Sequence, residues 1–223
     1  MDSVAIIALD GPVASGKTAV GRLVARRLGY RFLDTGIMYR AMTWAALEAR
    51  VDPKDGTALT RLAKKRNIEV VFADAGRASV LIDHRDVTAH LWEQTVEQNV
   101  SLVSQVAGVR RVLVLKQRQI AGMGPVVMAG RDIGTVVLPD APVKVYLTAS
   151  VAERARRRHQ ELQASGVHLP YAQVLEELTQ RDRLDSERKV APLRPAPDAK
   201  VIVTDGLSVE EVTERILELV GRR

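Results

Sequence analysis

Gly11-Pro12-Val13-Ala14-Ser15-Gly16-Lys17-Thr18 decides the fold, because this stretch satisfies the pattern G-x-x-x-x-G-K-S/T. Residues 4–9 before it form a continuous apolar run of strand length, as expected for a parallel strand buried on both faces. Residues 17–28 after it place apolar side chains on one helical face: Val20, Leu23, Val24 and Leu28. The order strand, loop, helix is the context in which this pattern predicts a phosphate-binding loop.

The residue types of this loop suit a nucleoside triphosphate. Its glycines let the backbone curl so that amide N–H groups point at phosphate oxygens, and the following helix adds its positive N-terminal end. Lys17 can reach the β- and γ-phosphates, and the Thr18 hydroxyl can ligate Mg²⁺. We therefore expect residues 11–18 to bind ATP, with Thr18 as the metal ligand.

The rest of the chain predicts an α/β protein with a doubly wound parallel sheet, because apolar strands alternate with helical patterns. A second helix is expected over Thr35 to Ala49. Two helix starts have the spacing of a capping box, Ser150 with Glu153 and Ser208 with Glu211. The further strands predicted are Tyr30 to Leu33, Val126 to Ala129, Val143 to Leu147 and Val201 to Thr204.

Two stretches interrupt this alternation. We predict an inserted subdomain at about residues 67–97, with antiparallel strands at Glu69 to Ala73 and Ser79 to Ile82 around the turn Asp74-Ala75-Gly76. The second stretch, from Ser165 to Pro197, holds four prolines and much charge around one helix near Tyr171 to Asp185, and it belongs to a predicted lid region of about residues 154–194. That composition favours a lid, and a plain surface excursion is the alternative.

Composition narrows the class of protein. The 223 residues are 46% hydrophobic and 27% charged, which fits one globular domain. No membrane span or secretory signal is visible, so we expect a cytoplasmic protein. The chain has no cysteine, and its four histidines lack the close pairing of a metal site. With no heptad pattern, a monomer is the expectation.

The formal charge of +6 is compatible with nucleic acid or with a small anionic ligand. Arginines crowd into residues 154–158 and 181–194, with carboxylates among them and few aromatic residues for base stacking. This pattern favours the phosphates of a mononucleotide over a strand of DNA or RNA. A non-enzymatic RNA-binding protein is the alternative from another class, motivated by the basic balance alone.

The loop does not distinguish kinases, GTPases and mechanical ATPases. A GTPase would show the strings D-x-x-G and N-K-x-D, and neither occurs in this chain. A small kinase instead needs arginines that converge on two phosphates, because charge repulsion limits transfer between two anions. It needs no general base, since the acceptor phosphate is already ionised at neutral pH.

Four strings outside the loop carry a family resemblance. They are Leu33-Asp34-Thr35-Gly36-Ile37-Met38-Tyr39-Arg40, Gly130-Arg131-Asp132-Ile133-Gly134-Thr135, Pro139-Asp140-Ala141-Pro142-Val143-Lys144, and Arg181, Asp185 and Arg188 with Ala191-Pro192-Leu193. In this order and spacing the chain resembles the bacterial cytidylate kinases over essentially its whole length. It departs from their pattern at Val13-Ala14, at Ile37, near Leu91-Trp92, where the usual basic residue is absent, and at Ala107-Gly108.

The resemblance implies a three-layer P-loop kinase fold with a parallel central sheet, an inserted NMP-binding subdomain and a short lid. It implies transfer of the γ-phosphoryl group of ATP to CMP or dCMP, giving ADP and CDP or dCDP. A related P-loop kinase acting on another nucleoside monophosphate or a small metabolite is the nearest alternative.

The resemblance also implies the acceptor-binding residues. Ser101 and Arg110 match positions that donate to the cytosine ring, and Asp132 matches one that accepts from its amine. Uracil reverses donor and acceptor, so such a site would reject it. Arg40 and Arg131 match positions that hold the CMP phosphate, with Thr35 nearby. Arg181 and Asp185 match positions that bind the sugar hydroxyls, and Arg188 matches one that reaches the phosphates.

Two arginine groups are expected to share helical faces. The spacing of Arg181, Asp185 and Arg188 predicts one face if the helix continues that far, and a surface ion-pair ladder is the alternative. Arg154, Arg157 and Arg158 would share another face, with Arg157 and Arg158 contacting the triphosphate, unless that face is merely solvated. The catalytic residues predicted overall are Lys17, Arg131, Arg158 and Arg188.

Overall fold

The computed structural model describes residues 6–72 and 78–221. Its strands are β1 (Ile6–Asp10), β2 (Arg31–Asp34), β3 (Ile68–Phe72), β4 (Ala78–Ile82), β5 (Arg85–Asp86), β6 (Val126–Gly130), β7 (Val143–Thr148) and β8 (Lys200–Val203). Its α-helices are α1 (Lys17–Leu28), α2 (Gly36–Glu48), α3 (Gly56–Lys65), α4 (Gln94–Gln105), α5 (Ala107–Gly122), α6 (Val151–Ala164), α7 (Tyr171–Glu187) and α8 (Val209–Gly221). A 3-10 turn covers Thr88–His90 and a π-helical turn covers Ile133–Val137.

Five strands form the parallel sheet that the sequence predicts, in the order β2-β6-β1-β7-β8. Alternate residues of β1 enter different cores, because side chains alternate across a strand. Ile7 and Leu9 pack with α1 and α8 on one face, and Ala8 packs with α2 and α5 on the other. The result is three layers, helices on both sides of a parallel sheet, which confirms the predicted fold class. Residues 4 and 5 of the predicted first strand lie outside the described residues.

The second strand begins one residue later than predicted. Gly29 has the left-handed φ of 69°, and the Tyr30 N–H donates to the Ala25 carbonyl oxygen at 2.8 Å, so Tyr30 still belongs to the end of α1. The strand therefore runs from Arg31 to Asp34. This shift places Asp34, rather than Leu33, at the carboxyl end of β2.

A separate antiparallel sheet is built from β3, β4 and β5, with Val70 opposite Val80. Val80 and Ile82 are buried against α2. The two predicted strands of this region are confirmed in their described part, whereas Ala73 and the turn at residues 74–76 lie outside the described residues. That residues 67–97 act as a nucleotide-binding subdomain stays a prediction.

Helices α6 and α7 pack on each other through a small apolar core of Ala155, Val174 and Leu178. The helix predicted near Tyr171 to Asp185 is confirmed and extends to Glu187. The structure thus gives the predicted lid region two helices with their own core. Of the helices in the described residues, none combines the length and apolarity that crossing a membrane requires.

The two predicted capping boxes differ in outcome. At α8 the box is complete: the Ser208 N–H donates to the Glu211 carboxylate at 2.8 Å, and the Glu211 N–H donates to the Ser208 hydroxyl at 3.2 Å. At α6 only half of the prediction is right. The Glu153 N–H donates to Ser150, but the Ser150 N–H donates to Asp205, because Glu153 is held by Arg156 and Arg157.

We expect Ser208→Ala to lower the free energy of unfolding by about 1 kcal/mol, because the first turn of α8 loses its side-chain acceptor. Thermal unfolding should show a Tm lower by about 2–4 °C. Glu211→Gln keeps an acceptor at the third position and is the matched control, with a smaller loss expected. An unchanged Tm for Ser208→Ala would show that the cap contributes nothing.

Candidate active site

A polar cleft of about 360 Å³ lies at the carboxyl ends of the parallel strands, where ligands bind in open α/β sheets. Three strands contribute lining residues to the cleft directly. β1 leads into the glycine-rich loop, β2 ends at Asp34, and β6 leads into Arg131 and Asp132. Seven basic and five acidic side chains line the cleft, which leaves an excess of two positive charges for an anionic ligand. The basic residues are Lys17, Arg40, Arg110, Arg131, Arg158, Arg181 and Arg188.

The glycine-rich loop is curled. Gly11 and Gly16 have φ angles of 151° and 91°, and a Cβ on Gly11 would lie 2.1 Å from the Leu147 carbonyl oxygen. The Lys17 ammonium donates to the Pro12 carbonyl oxygen at 2.5 Å and to the Ser15 hydroxyl at 3.2 Å, so it reaches across the loop. Within the loop, Val13, Ala14, Gly16, Lys17 and Thr18 line the cleft. Gly11, Pro12 and Ser15 are buried behind them.

Lys17 is almost fully buried. Burial lowers the pKa of its ammonium well below the usual range, and the positive charge of Arg131 lowers that pKa further. The negative charges of Asp34 and Asp10 act in the opposite direction. Phosphate oxygens of a bound nucleotide would add to this stabilisation of the charged form.

Asp10, at the end of β1, was not singled out from the sequence. Its two carboxylate oxygens accept hydrogen bonds from the Ile133 and Gly134 N–H groups, each at 2.7 Å. Burial raises the pKa of Asp10 to about 6 despite these bonds. Asp10 therefore fastens the end of β1 to the turn that follows Arg131 and Asp132, and so fixes the position of that pair.

Thr18, the predicted metal ligand, has a partner that the sequence analysis missed. Its hydroxyl donates to an Asp34 carboxylate oxygen at 2.7 Å, and the other oxygen of Asp34 accepts from the Gly36 N–H at 3.0 Å. Both Thr18 and Asp34 line the cleft. The signal was available, since Asp34 lies in the same string as Thr35 and follows a buried strand. Thr35 is buried beside it and donates to the Ala129 carbonyl oxygen at 3.0 Å.

The residues expected around the base lie together at one end of the cleft. Arg110, on α5, donates to the Asp132 carboxylate and, at 3.0 Å, to the Ser104 carbonyl oxygen. The Arg188 guanidinium lies 3.7 Å from the other Asp132 oxygen. All three charged side chains are almost fully buried, and Ser101 lines the cleft beside them. This end of the cleft is therefore a buried pocket with donors and an acceptor.

Arg131 and Asp185 form a second ion pair, with Nε to Oδ2 at 2.9 Å. Burial alone would raise the pKa of Asp185, but the charge of Arg131 and its hydrogen bond outweigh this and lower it. Asp185 comes from α7 and Arg131 from the end of β6, so this pair joins the predicted lid to the sheet. Arg188 lies 3.8 Å from the other Asp185 oxygen.

The expectation of one helical face for Arg181, Asp185 and Arg188 is wrong in one respect. α7 ends at Glu187, and Arg188 is extended, with φ −61° and ψ 139°. The chain turns back here: the Leu193 N–H donates to the Asp185 carbonyl oxygen at 2.8 Å, and Arg188 donates to the Ala191 carbonyl oxygen. This turn, and not a helical face, brings Arg188 into the cleft.

Arg40 and Arg181, expected at the acceptor's phosphate and sugar, share one partner. Glu97 of α4 accepts from Arg181 at 2.8 Å and also from Arg40. The Trp92 ring covers the Arg40 guanidinium at 4.3 Å from the ring centroid. Neither Glu97 nor Trp92 was assigned to the site from the sequence, although Trp92 stands at a departure from the family pattern.

The three α6 arginines do not share one environment. Arg158 lines the cleft and pairs with Glu161. Arg157 is absent from the lining described here; it pairs with Glu153 and donates to the Thr204 carbonyl oxygen at 2.6 Å. Arg154 is buried, with Asp182 at 2.6 Å and the Val13 carbonyl oxygen at 3.2 Å. Their i, i+3, i+4 spacing on α6 is that of one helical face, but their partners differ: Arg154 braces the loop from behind, and contact of Arg157 with the triphosphate stays a prediction.

Residues 7–222 match the family described as cytidylate kinase. A cytidylate kinase of Geobacillus kaustophilus is 51% identical over 217 residues, which cover 97% of this chain and 96% of that protein. A cytidylate kinase of Bacillus licheniformis is 45% identical over 223 residues, which cover 100% of this chain and 99% of that protein.

Two solved structures share the fold at low sequence identity. A gluconokinase from Sinorhizobium meliloti 1021 superimposes with a TM-score of 0.50 at 16% identity, covering 100% of this chain and 94% of its own. An uncharacterized protein from Eubacterium ventriosum superimposes with a TM-score of 0.52 at 13% identity, covering 98% of this chain and 99% of its own. At such identities the likeness concerns the fold alone.

Proposed function

The chain belongs to the cytidylate kinase family, and on that premise we propose how the cleft divides the work of moving the γ-phosphoryl group of ATP onto CMP or dCMP. The observation that carries the proposal is the meeting, in one cleft, of the curled loop with Lys17 and of the buried pocket of Arg110 and Asp132. The first suits a triphosphate and the second suits cytosine. The reaction needs both in reach of each other.

ATP binds with its β- and γ-phosphates in the curl of residues 11–18. Gly16 precedes α1 and offers no side chain to cap it, so the amide N–H groups of the first turn are left to donate to phosphate oxygens. Lys17 supplies a positive charge that is already held in place by the Pro12 carbonyl oxygen. As the γ-phosphoryl group moves, Lys17, Arg131, Arg158 and Arg188 stabilise its negative charge.

The residues beside the loop fit Mg²⁺. The Thr18 hydroxyl and the Asp34 carboxylate are hard oxygen donors that lie in contact and line the cleft, and Mg²⁺ in kinases takes one or two such groups together with phosphate oxygens. When bound, the ion neutralises charge on the triphosphate. We propose that Thr18 holds it and that Asp34 orients the Thr18 hydroxyl.

Thr18→Val is expected to raise the Mg²⁺ concentration needed for half-maximal ATP binding by about tenfold, because a metal-site partner typically contributes that much affinity. The measurement is calorimetric titration of ATP at a series of Mg²⁺ concentrations, which does not depend on turnover. Thr18→Ser keeps the hydroxyl and is the matched control. An unchanged Mg²⁺ requirement in Thr18→Val would remove this hydroxyl from the metal site.

The acceptor binds in the part of the cleft away from the glycine-rich loop. Cytosine lies between Arg110 and Ser101 as donors and Asp132 as acceptor, while Asp185 and Arg181 bind the sugar hydroxyls. Arg40 and Arg131 hold the phosphate near Thr35. The cleft arginines come from α2, α5, the end of β6, α6, and α7 with the turn after it, so closure of residues 154–194 over the cleft would complete the site and exclude water that could hydrolyse ATP.

ATP-dependent conversion of CMP, dCMP, UMP, AMP and GMP, with separation of the products, tests the function directly. We expect CDP and dCDP to form fastest. Faster conversion of another monophosphate would favour the related kinase. Binding of RNA that falls steeply with salt, without nucleotide transfer, would favour the RNA-binding alternative.

The remaining expectations are part of the same proposal. We propose that the chain acts as a monomer in the cytoplasm, with nucleotides as its ligands and no nucleic-acid partner. Light scattering of the purified protein, without nucleotide and with millimolar nucleotide, checks the oligomeric state. The mass of a dimer under both conditions would overturn the proposal of a monomer.

A further inference from the structure

Glu97 is a carboxylate inside a cleft built for phosphates. It lies on α4, and its two oxygens accept from two arginines of different elements, Arg40 of α2 and Arg181 of α7, the latter at 2.8 Å. The Glu97 side chain is 30% exposed, and it lines the cleft. No base or sugar atom of the proposed acceptor requires a carboxylate beside Arg40, which faces the phosphate.

Glu97 is a permanent anion at neutral pH. Burial alone would raise the pKa of its carboxyl, but the charge of Arg40, its hydrogen bond and the charge of Arg181 outweigh burial and lower that pKa to about 2. Arg158, also in the cleft, acts in the same direction. Three of the seven cleft cations thus stabilise one carboxylate.

The surroundings of Arg40 restrict how an anion can reach it. The Trp92 ring lies over the guanidinium plane at 4.3 Å, so one face is covered by an aromatic ring. An arginine binds carboxylate or phosphate through the edge of its planar fork. Glu97 hydrogen-bonds to this edge through the Arg40 Nη1 atom. A phosphate that uses the same edge meets the Glu97 carboxylate.

We propose that Glu97 is an internal competitor of the acceptor's phosphate: it holds Arg40 and Arg181 until CMP or dCMP arrives, and the phosphate binds by displacing the carboxylate. The proposal rests on the proposed function, in which Arg40 binds that phosphate. Displacement frees Arg181 of α7 at the same moment, so acceptor binding and rearrangement of the predicted lid are one event.

The competition has a measurable cost in affinity. The apparent dissociation constant of a ligand rises in inverse proportion to the fraction of molecules whose site is free to bind it. If Glu97 occupies the arginines in about nine molecules of ten, the constant for CMP is about tenfold weaker than the site allows. A ligand with the same base and sugar but no phosphate gains from the release of Arg181 but not from that of Arg40, so its affinity changes less.

The test is calorimetric titration of CMP and of cytidine, without ATP, into the wild-type chain, Glu97→Gln and Glu93→Gln. Glu97→Gln removes the charge and keeps the size, and we expect it to bind CMP about tenfold more tightly, with a smaller gain for cytidine, which has the sugar for Arg181 but no phosphate for Arg40. Glu93→Gln, at the residue that precedes α4, is the matched control. Glu93 pairs with His90 rather than with a cleft arginine, so neither ligand should change.

Equal or weaker CMP binding by a folded Glu97→Gln variant would overturn the proposal, because Glu97 would then position the arginines instead of competing for them. Equal tightening of CMP and cytidine would overturn it as well, since the gain would not involve the phosphate. If Glu97→Gln fails to fold, Glu97→Asp keeps the charge but shortens its reach, and an intermediate gain is expected. If the wild-type chain binds CMP while Glu97→Gln gives one of these contrary results, the inference fails and the proposed function stands. If the wild-type chain does not bind CMP, the proposed function itself fails.

Discussion

Lys17→Ala is expected to lower kcat for phosphoryl transfer to CMP by about 10²–10³-fold, the usual cost of losing one preorganised charge at a transition state. Lys17 is buried at the base of the cleft and crosses the loop to the Pro12 carbonyl oxygen, and a water molecule that fills the vacated space carries no positive charge. The measurement is steady-state turnover with ATP and CMP at saturation, with product separation.

The control for this change is Lys64→Ala, which removes an exposed lysine of α3 outside the cleft lining. We expect it to leave kcat unchanged. A matching thermal unfolding curve for Lys17→Ala would assign the loss to charge and not to folding. Near-normal turnover by Lys17→Ala would end the proposal that the glycine-rich loop acts on the γ-phosphoryl group.

The second large effect concerns the base. Asp132→Asn is expected to lower the ratio of kcat/KM for CMP over UMP by about 100-fold, because a buried polar group built for one donor pattern rejects the reverse pattern strongly. The asparagine side chain can turn either its oxygen or its NH₂ group to the base, so it accepts both pyrimidines. The measurement is kcat/KM for CMP and UMP under one set of conditions. Asn keeps the shape and an oxygen acceptor beside Arg110 and Arg188, whereas Ala would remove the acceptor and leave a cavity as well.

Asp185→Asn is the matched control for specificity. It makes the same chemical change in the same cleft, next to Arg131, at a position assigned to the sugar. Activity should fall with both pyrimidines, and the ratio of CMP to UMP should stay the same. An unchanged ratio in Asp132→Asn would take Asp132 out of the base pocket and leave it as a counter-ion of Arg110.

Local features of the fold could be predicted from the sequence. The parallel strands, the loop of residues 11–18 and the complete cap at Ser208 follow from patterns that extend over a few residues, and the structure confirms them. The start of β2 was predicted one residue too early, because the Tyr30 N–H donates to the Ala25 carbonyl oxygen at the end of α1. Helices α3, α4 and α5 were not predicted at all.

The candidate site was predicted in part. Most of the expected residues line one cleft, from Lys17 to Arg188. Arg157 does not, because successive residues of a helix are rotated by about 100° and Arg157 turns to Thr204 where Arg158 turns to the cleft. Arg188 lines the cleft, but a turn after α7 brings it there, and helical spacing does not predict that turn.

The sequence alone determined that this chain has a phosphate-binding loop between a strand and a helix and carries the family's strings, since those are properties of neighbours along the chain. Only the tertiary structure decided which carboxylate meets which arginine. Glu97 is separated from Arg40 by 57 residues and from Arg181 by 84, and no local pattern relates them. Their pairing arises because α2, α4 and α7 converge on one cleft, where buried charges must find counter-charges.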